Sequence, residues 1–237
     1  MCPFATAGCM RDCLFTAGRG IFQEIKNSRI AKAKFLLDDR AAFLASMRYI
    51  RKLVTQAAKL GLQAAVRING TSDQPWIALQ MASEFPHVQF YDYTKIPRPW
   101  RRIRPNYHLT FSRSESNAAD CLAALRHSIN VAVVFDTYRG EPLPSSWHGF
   151  RVVDGDVHDL RFLDSPGVVV VLRAKGQARN DEISGFVVAA SPTLRLSTNT
   201  VKLGNGYAYT SRKSETPRRC RRTGSRCPRG TRAISRY

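Results

Sequence analysis

Between residues 64 and 135 the apolar pattern switches repeatedly between two periods, and this alternation limits the fold more than any other feature of the chain. Residues 64–69, 87–92, 107–111 and 131–135 are apolar runs of strand length. Between them, residues 75–85 and 116–127 carry helical spacing. Strands that alternate with helices pair in parallel, because a parallel neighbour has to be reached by a crossover, and that crossover is right-handed. Residues 151–153 and 167–173 read as further strands around a polar loop at 154–164, and 183–190 as a late strand or hairpin element. About six strands suit either a partial or full β/α barrel or an open doubly wound sheet. The barrel is preferred because several strands run into polar residues, as barrel mouths do: Arg67-Ile68-Asn69, Tyr91-Asp92-Tyr93, Thr110-Phe111-Ser112 and Phe135-Asp136-Thr137. The expected fold class is α/β, with parallel β/α units over residues 21–190 forming a partial TIM-type barrel.

Two helices are expected ahead of this unit. Apolar residues recur at near-helical spacing over 21–37, and a wider apolar stripe covers 40–60. Asp38 or Asp39 suits the cap of the second helix, Gly61 the position just past its end, and Pro75 the first turn of the next helix.

The first 13 residues hold three of the six cysteines, Cys2, Cys9 and Cys13, spaced C-x6-C-x3-C. Thiolates are soft ligands that suit iron–sulfur clusters and zinc. Structural zinc takes four ligands, and no fourth Cys or His follows within the next 70 residues, although distant His87 or His108 can complete a zinc set. Three thiolates around a 4Fe-4S cluster leave one iron open to a small molecule. The alternative is a loop of unligated thiols. Residues 1–20 are therefore expected to be a cysteine cluster loop, with Cys2, Cys9 and Cys13 as metal ligands. Cys121 falls in a helical pattern and is expected to be a buried small apolar residue.

No apolar run approaches the roughly 18 residues of a membrane span. The N-terminus lacks the basic and apolar regions of a signal peptide. Both point to a cytoplasmic protein, where six cysteines are unlike a disulfide framework. The net charge is +19. Residues 191–237 form a C-terminal extension that is Arg-rich, contains Cys220 and Cys227, and has too little apolar content from about residue 211 to order itself. The basic surface and tail favour polyanions, so nucleic acid is a candidate partner. The segment 95–107 adds aromatics to cations, with Arg98, Trp100, Arg101, Arg102, Arg104 and Tyr107, which suits a single strand; its plainer role is a basic loop that packs Trp100 on the domain.

The stretch Cys2-Pro3-x-Ala5-Thr6-x-Gly8-Cys9-x-x-x-Cys13-Leu14-x-x-Ala17-Gly18-Arg19-Gly20, with Arg29-x-x-Lys32 and Arg67-x-Asn69-Gly70-Thr71-Ser72-Asp73, resembles the gene-product-88-like family of bacteriophage and prophage proteins. The resemblance covers roughly residues 2–175. More distantly the arrangement is similar to that of radical S-adenosylmethionine enzymes. Their three cysteines follow the first barrel strand and bind a 4Fe-4S cluster whose open iron takes S-adenosylmethionine. That resemblance implies a cofactor contact at Asn69, Gly70 and Thr71. The spacing departs from the usual C-x3-C-x2-C, Asp12 stands where an aromatic is usual, no Gly-Gly-Glu follows the next strand, and no strand precedes Cys2.

Asn69 and Asp73 flank Gly70 in a tight turn and are the leading non-cysteine site residues. Asp73, Asp92 and Asp136 each stand near a strand's carboxyl end, where they can position substrate or, more commonly for loop Asp, cap the chain. Arg19 between two glycines suits an anion or an ordinary loop. His148 and His158 have no compelling spacing. Ser112, Ser114 and Glu115 can touch a cofactor ribose but better fit an N-cap cluster for the helix at Ser116. The expected function is a phage-derived iron–sulfur protein similar to radical S-adenosylmethionine enzymes. The alternatives are a nucleic-acid-binding phage protein with a structural metal site, zinc included, and a truncated, inactive prophage remnant.

Overall fold

The computed structural model describes residues 2–190. The expectations for the basic extension, 191–237, with Cys220 and Cys227, concern residues outside those described.

The alternation of strand and helix is present. The helices are α1 (Ala7–Arg11), α2 (Gln23–Asp38), α3 (Arg40–Met47), α4 (Ile50–Lys59), α5 (Pro75–Glu84) and α6 (Ala118–Arg126). The strands are β1 (Ala65–Val66), β2 (Gln89–Thr94), β3 (Tyr107–Ser112), β4 (Val131–Phe135), β5 (Ser146–Trp147), β6 (Phe150–Asp154) and β7 (Val169–Arg173). Asp39 caps α3, its side chain accepting from the Ala42 amide at 2.9 Å. Pro75 opens α5, where its missing N–H costs nothing.

The single helix expected over 40–60 is two. Arg48 and Tyr49 close short turns onto Ala45 and Ser46, and the break lets Ile50 turn into the core, where it is 3 % exposed. Burying such a side chain contributes roughly 1.5–3 kcal/mol. That outweighs the few tenths per residue that separate most helix propensities, so burial decides where the helix bends.

The strands form one sheet in the order β1-β2-β3-β4-β7-β6-β5. All neighbours are parallel except β5 and β6, which form an antiparallel hairpin through a two-residue turn at His148 and Gly149, both with positive φ. The expected barrel is not closed. After β4 the chain runs out to the far edge, makes the hairpin, and returns to insert β7 between β4 and β6. The sheet therefore ends on β1 at one edge and an antiparallel strand at the other. The late strand expected at 183–190 is a single parallel bridge, Phe135 to Val188.

One face of the sheet carries the helices. Phe90, Tyr107 and Leu109 pack on α5 through Ala78, Met81 and Ala82, with Ile50 of α4 behind them. Phe111, Val131, Val133, Val169 and Val171 pack on α6 through Cys121, Ala124 and Leu125. Cys121 is thus the buried core residue its pattern indicates. On the opposite face Ala132, Val168 and Val170 meet Tyr93, Val153 and Leu172. The segment after β6 covers part of this second face. Its Arg161 is fully buried and ion-paired with Asp164 at 3.3 Å, and Phe162 packs on Tyr91 with ring centroids 5.5 Å apart.

β6 hands over to this cover at Gly155. A Cβ there would stand 2.6 Å from both the Val170 side chain and the Val171 carbonyl, inside any real contact distance. Gly155→Ala is expected to push β6 off β7 and to lower the free energy of urea unfolding by about 1–3 kcal/mol. An unfolding midpoint unchanged from wild type would show that the two strands are not held this closely.

Candidate functional site

The carboxyl ends of β1, β2, β3, β6 and β7 converge on one cleft of about 440 Å³. Its rim is built from two segments far apart in sequence, the cysteine segment and the turn after β1. Cys2, Cys9 and Cys13 all line the cleft, and so do Asn69, Gly70, Thr71 and Asp73. The seven residues singled out in the sequence are thus brought to one place.

The turn after β1 is held from below by a buried carboxylate. Asp92 is 1 % exposed. It accepts the Asn69 amide at 2.8 Å, the Asn69 side-chain amide at 2.9 Å and the Tyr107 hydroxyl at 3.2 Å. Asn69 Oδ1 in turn accepts from the Ser72 hydroxyl at 2.8 Å and the Gln74 amide at 3.0 Å. Asn69 is therefore the organiser of the turn, with both ends of its side chain engaged. This also explains why the strand expected over 64–69 ends at Val66: the backbone of Asn69 bonds to Asp92 rather than to a strand ladder. Asp73 accepts the Lys95 amide at 2.7 Å and ties the turn to the end of β2. Burial raises the pKa of Asp73, and raises that of Asp92 to about 6, in both cases against the opposing pull of these hydrogen bonds.

The cysteine segment is fastened at three places. The Cys2 thiol lies 3.7 Å from the Thr71 carbonyl. Glu115, just past β3, accepts the Thr6 hydroxyl and the Gly8 amide, each at 2.7 Å. Arg11 is ion-paired with Asp12 beside it and with Asp181 beyond β7. Glu115 is thus the cap of α1, supplied from 107 residues away. It is not part of an N-cap cluster for α6. That helix starts at Ala118, and Asn117 closes the preceding loop by accepting the Ser114 amide and donating to the Ser112 carbonyl. Gly8 allows the close approach, since a Cβ would stand 3.0 Å from the Glu115 carboxylate. Burial pushes the Glu115 carboxyl up, but the hydrogen bonds from Thr6 and Gly8 prevail and leave it below its usual range. Nothing local in the sequence marks Glu115 or Asp181 for this work, because their partners are more than 100 residues away.

Burial raises the Cys2 pKa, and the charges of Asp73, Cys13 and Cys9 act in the same direction. Among the described residues no group of three or more His, Cys, Asp or Glu side chains is arranged to hold a metal ion. Neither His87 nor His108 lines the cleft. His108 sits within β3, its pKa lowered to about 4 by burial and by the charge of Arg161. His158 does line the cleft and is bonded to Arg161, whereas His148 lies in the β5–β6 turn against Trp147.

The remaining candidates take structural parts. Asp136 accepts the Ala190 amide at 2.8 Å and so holds the chain after β7. Arg19 lies in the short 3-10 turn Gly18–Ile21, away from the cleft lining. Trp100 stacks on His127 with centroids 4.0 Å apart and packs against the α6 core, so it is turned into the domain rather than presented to a base. No helix of the described residues is long and apolar enough to cross a membrane.

A family model described as gene product 88 matches residues 1–190. No curated protein and no solved structure matches the chain.

Two outcomes test how the rim is held. Because the folded pKa of Asp92 lies near 6, above the unfolded value, its contribution to stability is full below about pH 4 and lost as pH rises through 6, up to about 3 kcal/mol in all. Asp92→Asn cannot titrate, so its urea-unfolding free energy is expected to vary less between pH 4 and 7; equal slopes for the two proteins would contradict the assignment. Glu115→Ala is expected to speed amide hydrogen exchange across α1 by about tenfold or more, the loss of roughly 1–3 kcal/mol, and to leave α6 unchanged. Unaltered exchange at Gly8 would show that the carboxylate is not its acceptor.

Proposed function

The chain belongs to the gene product 88 family, and from that premise we propose that its cleft is a cofactor site in which Cys2, Cys9 and Cys13 hold a 4Fe-4S cluster, used on a small molecule in the manner of radical S-adenosylmethionine enzymes. The observation that carries this reading is the convergence of all three thiols on a single cleft at the carboxyl ends of parallel strands, the place where β/α folds bind their ligands.

The donor types suit the group, although the three thiols are not gathered around a single ion among the described residues. The three thiols are soft ligands, and the two histidines that were to complete a zinc set stand outside the cleft lining. When bound, a cluster with three thiolate ligands supplies one iron open to a small molecule. The protein's own part is to position. Glu115 and Asp181 fix the segment that carries Cys9 and Cys13. The Asn69 turn presents Gly70 to the opening, where a Cβ would meet nothing within 4 Å, so a ligand can approach the backbone closely. Asn69 and Asp73 act from behind as supports of that turn. The parallel run β1-β2-β3-β4 supports the comparison with β/α enzymes, whose sites also lie at the carboxyl ends of parallel strands.

Anaerobic reconstitution of the full chain with ferrous iron and sulfide tests the proposal. The expected product is brown, absorbs near about 400 nm and carries about four irons per chain. Replacing any one of Cys2, Cys9 and Cys13 by Ser is expected to cut iron retention at least severalfold, whereas Cys121→Ala in the core leaves it unchanged. A colourless product that keeps tightly bound zinc would overturn it.

A further inference from the structure

Most cations of the cleft are already neutralised. Arg67 pairs with Asp159 at 2.9 Å, Arg173 with Asp154 at 2.8 Å, and Lys175 with Asp156 at 2.6 Å. Lys95 and Arg113 also line the cleft, at the carboxyl ends of β2 and β3, and neither has an acidic partner within ion-pair distance among the described residues. The acids beside them are committed elsewhere. Asp73 is engaged by the Lys95 backbone amide, and Glu115 by Thr6 and Gly8.

The two cations meet at Phe186, itself part of the cleft wall. The Lys95 ammonium stands 5.9 Å from the ring centroid, and Arg113 Nη1 donates to the carbonyls of Gly185 and Phe186, each at 2.8 Å. Arg113 makes no hydrogen bond through Nε or Nη2 among the described residues. Its guanidinium is only partly exposed, and burial lowers its pKa. A half-buried cation with donors to spare and no counter-ion is an unmet electrostatic demand, and a bound anion meets it. The guanidinium fork suits the paired oxygens of a phosphate or carboxylate, and the lysine adds a second point charge.

We propose that Lys95 and Arg113 form an anion-binding pole of the cleft, which takes the phosphate or carboxylate group of a small-molecule ligand beside Phe186. The pole is built from β2, β3 and the chain after β7, and none of its hydrogen bonds or ring contacts involves Cys2, Cys9 or Cys13. It therefore stands independently of the cluster.

Isothermal titration of the full chain with inorganic phosphate, and separately with acetate, at low ionic strength tests this. Saturable binding to one site is expected, and a preference for phosphate or for acetate assigns the group that the ligand carries. Lys95→Gln, which removes a side chain with no hydrogen bond to lose, is expected to weaken binding about tenfold. Arg113→Lys keeps the charge but not the fork and is expected to weaken it to a similar degree. Lys175→Gln removes a cation of the same cleft that is already paired, and is expected to change affinity by no more than about twofold. The triple Ser variant of Cys2, Cys9 and Cys13 is expected to keep its phosphate affinity, so loss of iron binding and loss of anion binding are read separately. Absence of saturable binding in the wild type, an unaffected Lys95→Gln, or an equal loss in Lys175→Gln would each overturn the proposal.

Discussion

A single carboxylate, Asp92, stands beneath the architecture of the cleft. It sits in the sheet at 1 % exposure, where an uncompensated charge would cost several kcal/mol. Its three donors come from Asn69 and Tyr107, so the chain can bury it only by bringing the end of β1 and the start of β3 onto β2. The demand is therefore also a specification. Asn69 must turn its backbone toward Asp92, β1 must stop, and the next residues must leave the sheet. The 70–73 turn that rims the cleft follows from that requirement. The carboxylate keeps a raised pKa of about 6 even with its hydrogen bonds, which shows that desolvation outweighs what the donors return. The group organises the turn at some cost in stability at neutral pH.

The opposite rim is organised by acids that reach across the chain. The cysteine segment contributes little apolar burial: Phe4, Met10 and Leu14 are all exposed by about half. Packing alone would leave it loose, because ordering each residue costs roughly 1–2 kcal/mol of backbone entropy. Glu115 and Asp181 supply the compensation as charge-assisted hydrogen bonds, which are stronger than neutral ones. The anchors lie on elements next to β3 and β7, so the segment is stretched across the strand ends instead of along one of them. Cys9, on α1, and Cys13, just after it, are delivered to the cleft by that placement.

These two halves differ in how far the sequence discloses them. The βαβ alternation, the caps at Asp39 and Pro75 and the burial of Cys121 are all written locally, in periods of two and 3.6 and in turn residues. The break at Arg48–Tyr49, the trans-cap from Glu115 and the open edge of the sheet are not. Each depends on a partner far along the chain, and periodicity carries no information about such partners. The return of β7 between β4 and β6 is the clearest case: 167–173 reads as a strand from its valines, but nothing in those residues says which neighbour they will find. A barrel and an open sheet share the same local pattern and differ only in that choice.

The same non-local choice also makes room for the cleft. β2 and β3 pair along their length, from Phe90 to Thr94, whereas β3 ends where β4 begins: the two pair only at Phe111–Val131 and Ser112–Ala132, and β4 runs on past the end of β3 to Phe135. A strand that outruns its neighbour leaves backbone donors and acceptors unmatched, and in a buried sheet these must be satisfied. The chain after β7 enters the gap. The Val188 amide donates to the Val134 carbonyl at 2.8 Å, the Asp136 amide to the Val188 carbonyl at 3.1 Å, and Arg113 holds the Gly185 and Phe186 carbonyls from the β3 side. This strap therefore does for β4 what a continuing β3 would have done, and it carries Phe186 into the wall of the cleft. Stagger, strap and cleft are one arrangement: β4 can outrun β3 because a later piece of chain takes over its hydrogen bonds, and the cleft at these strand ends is lined by the thiols, the Asn69 turn and the two cations that have no acidic partner among the described residues.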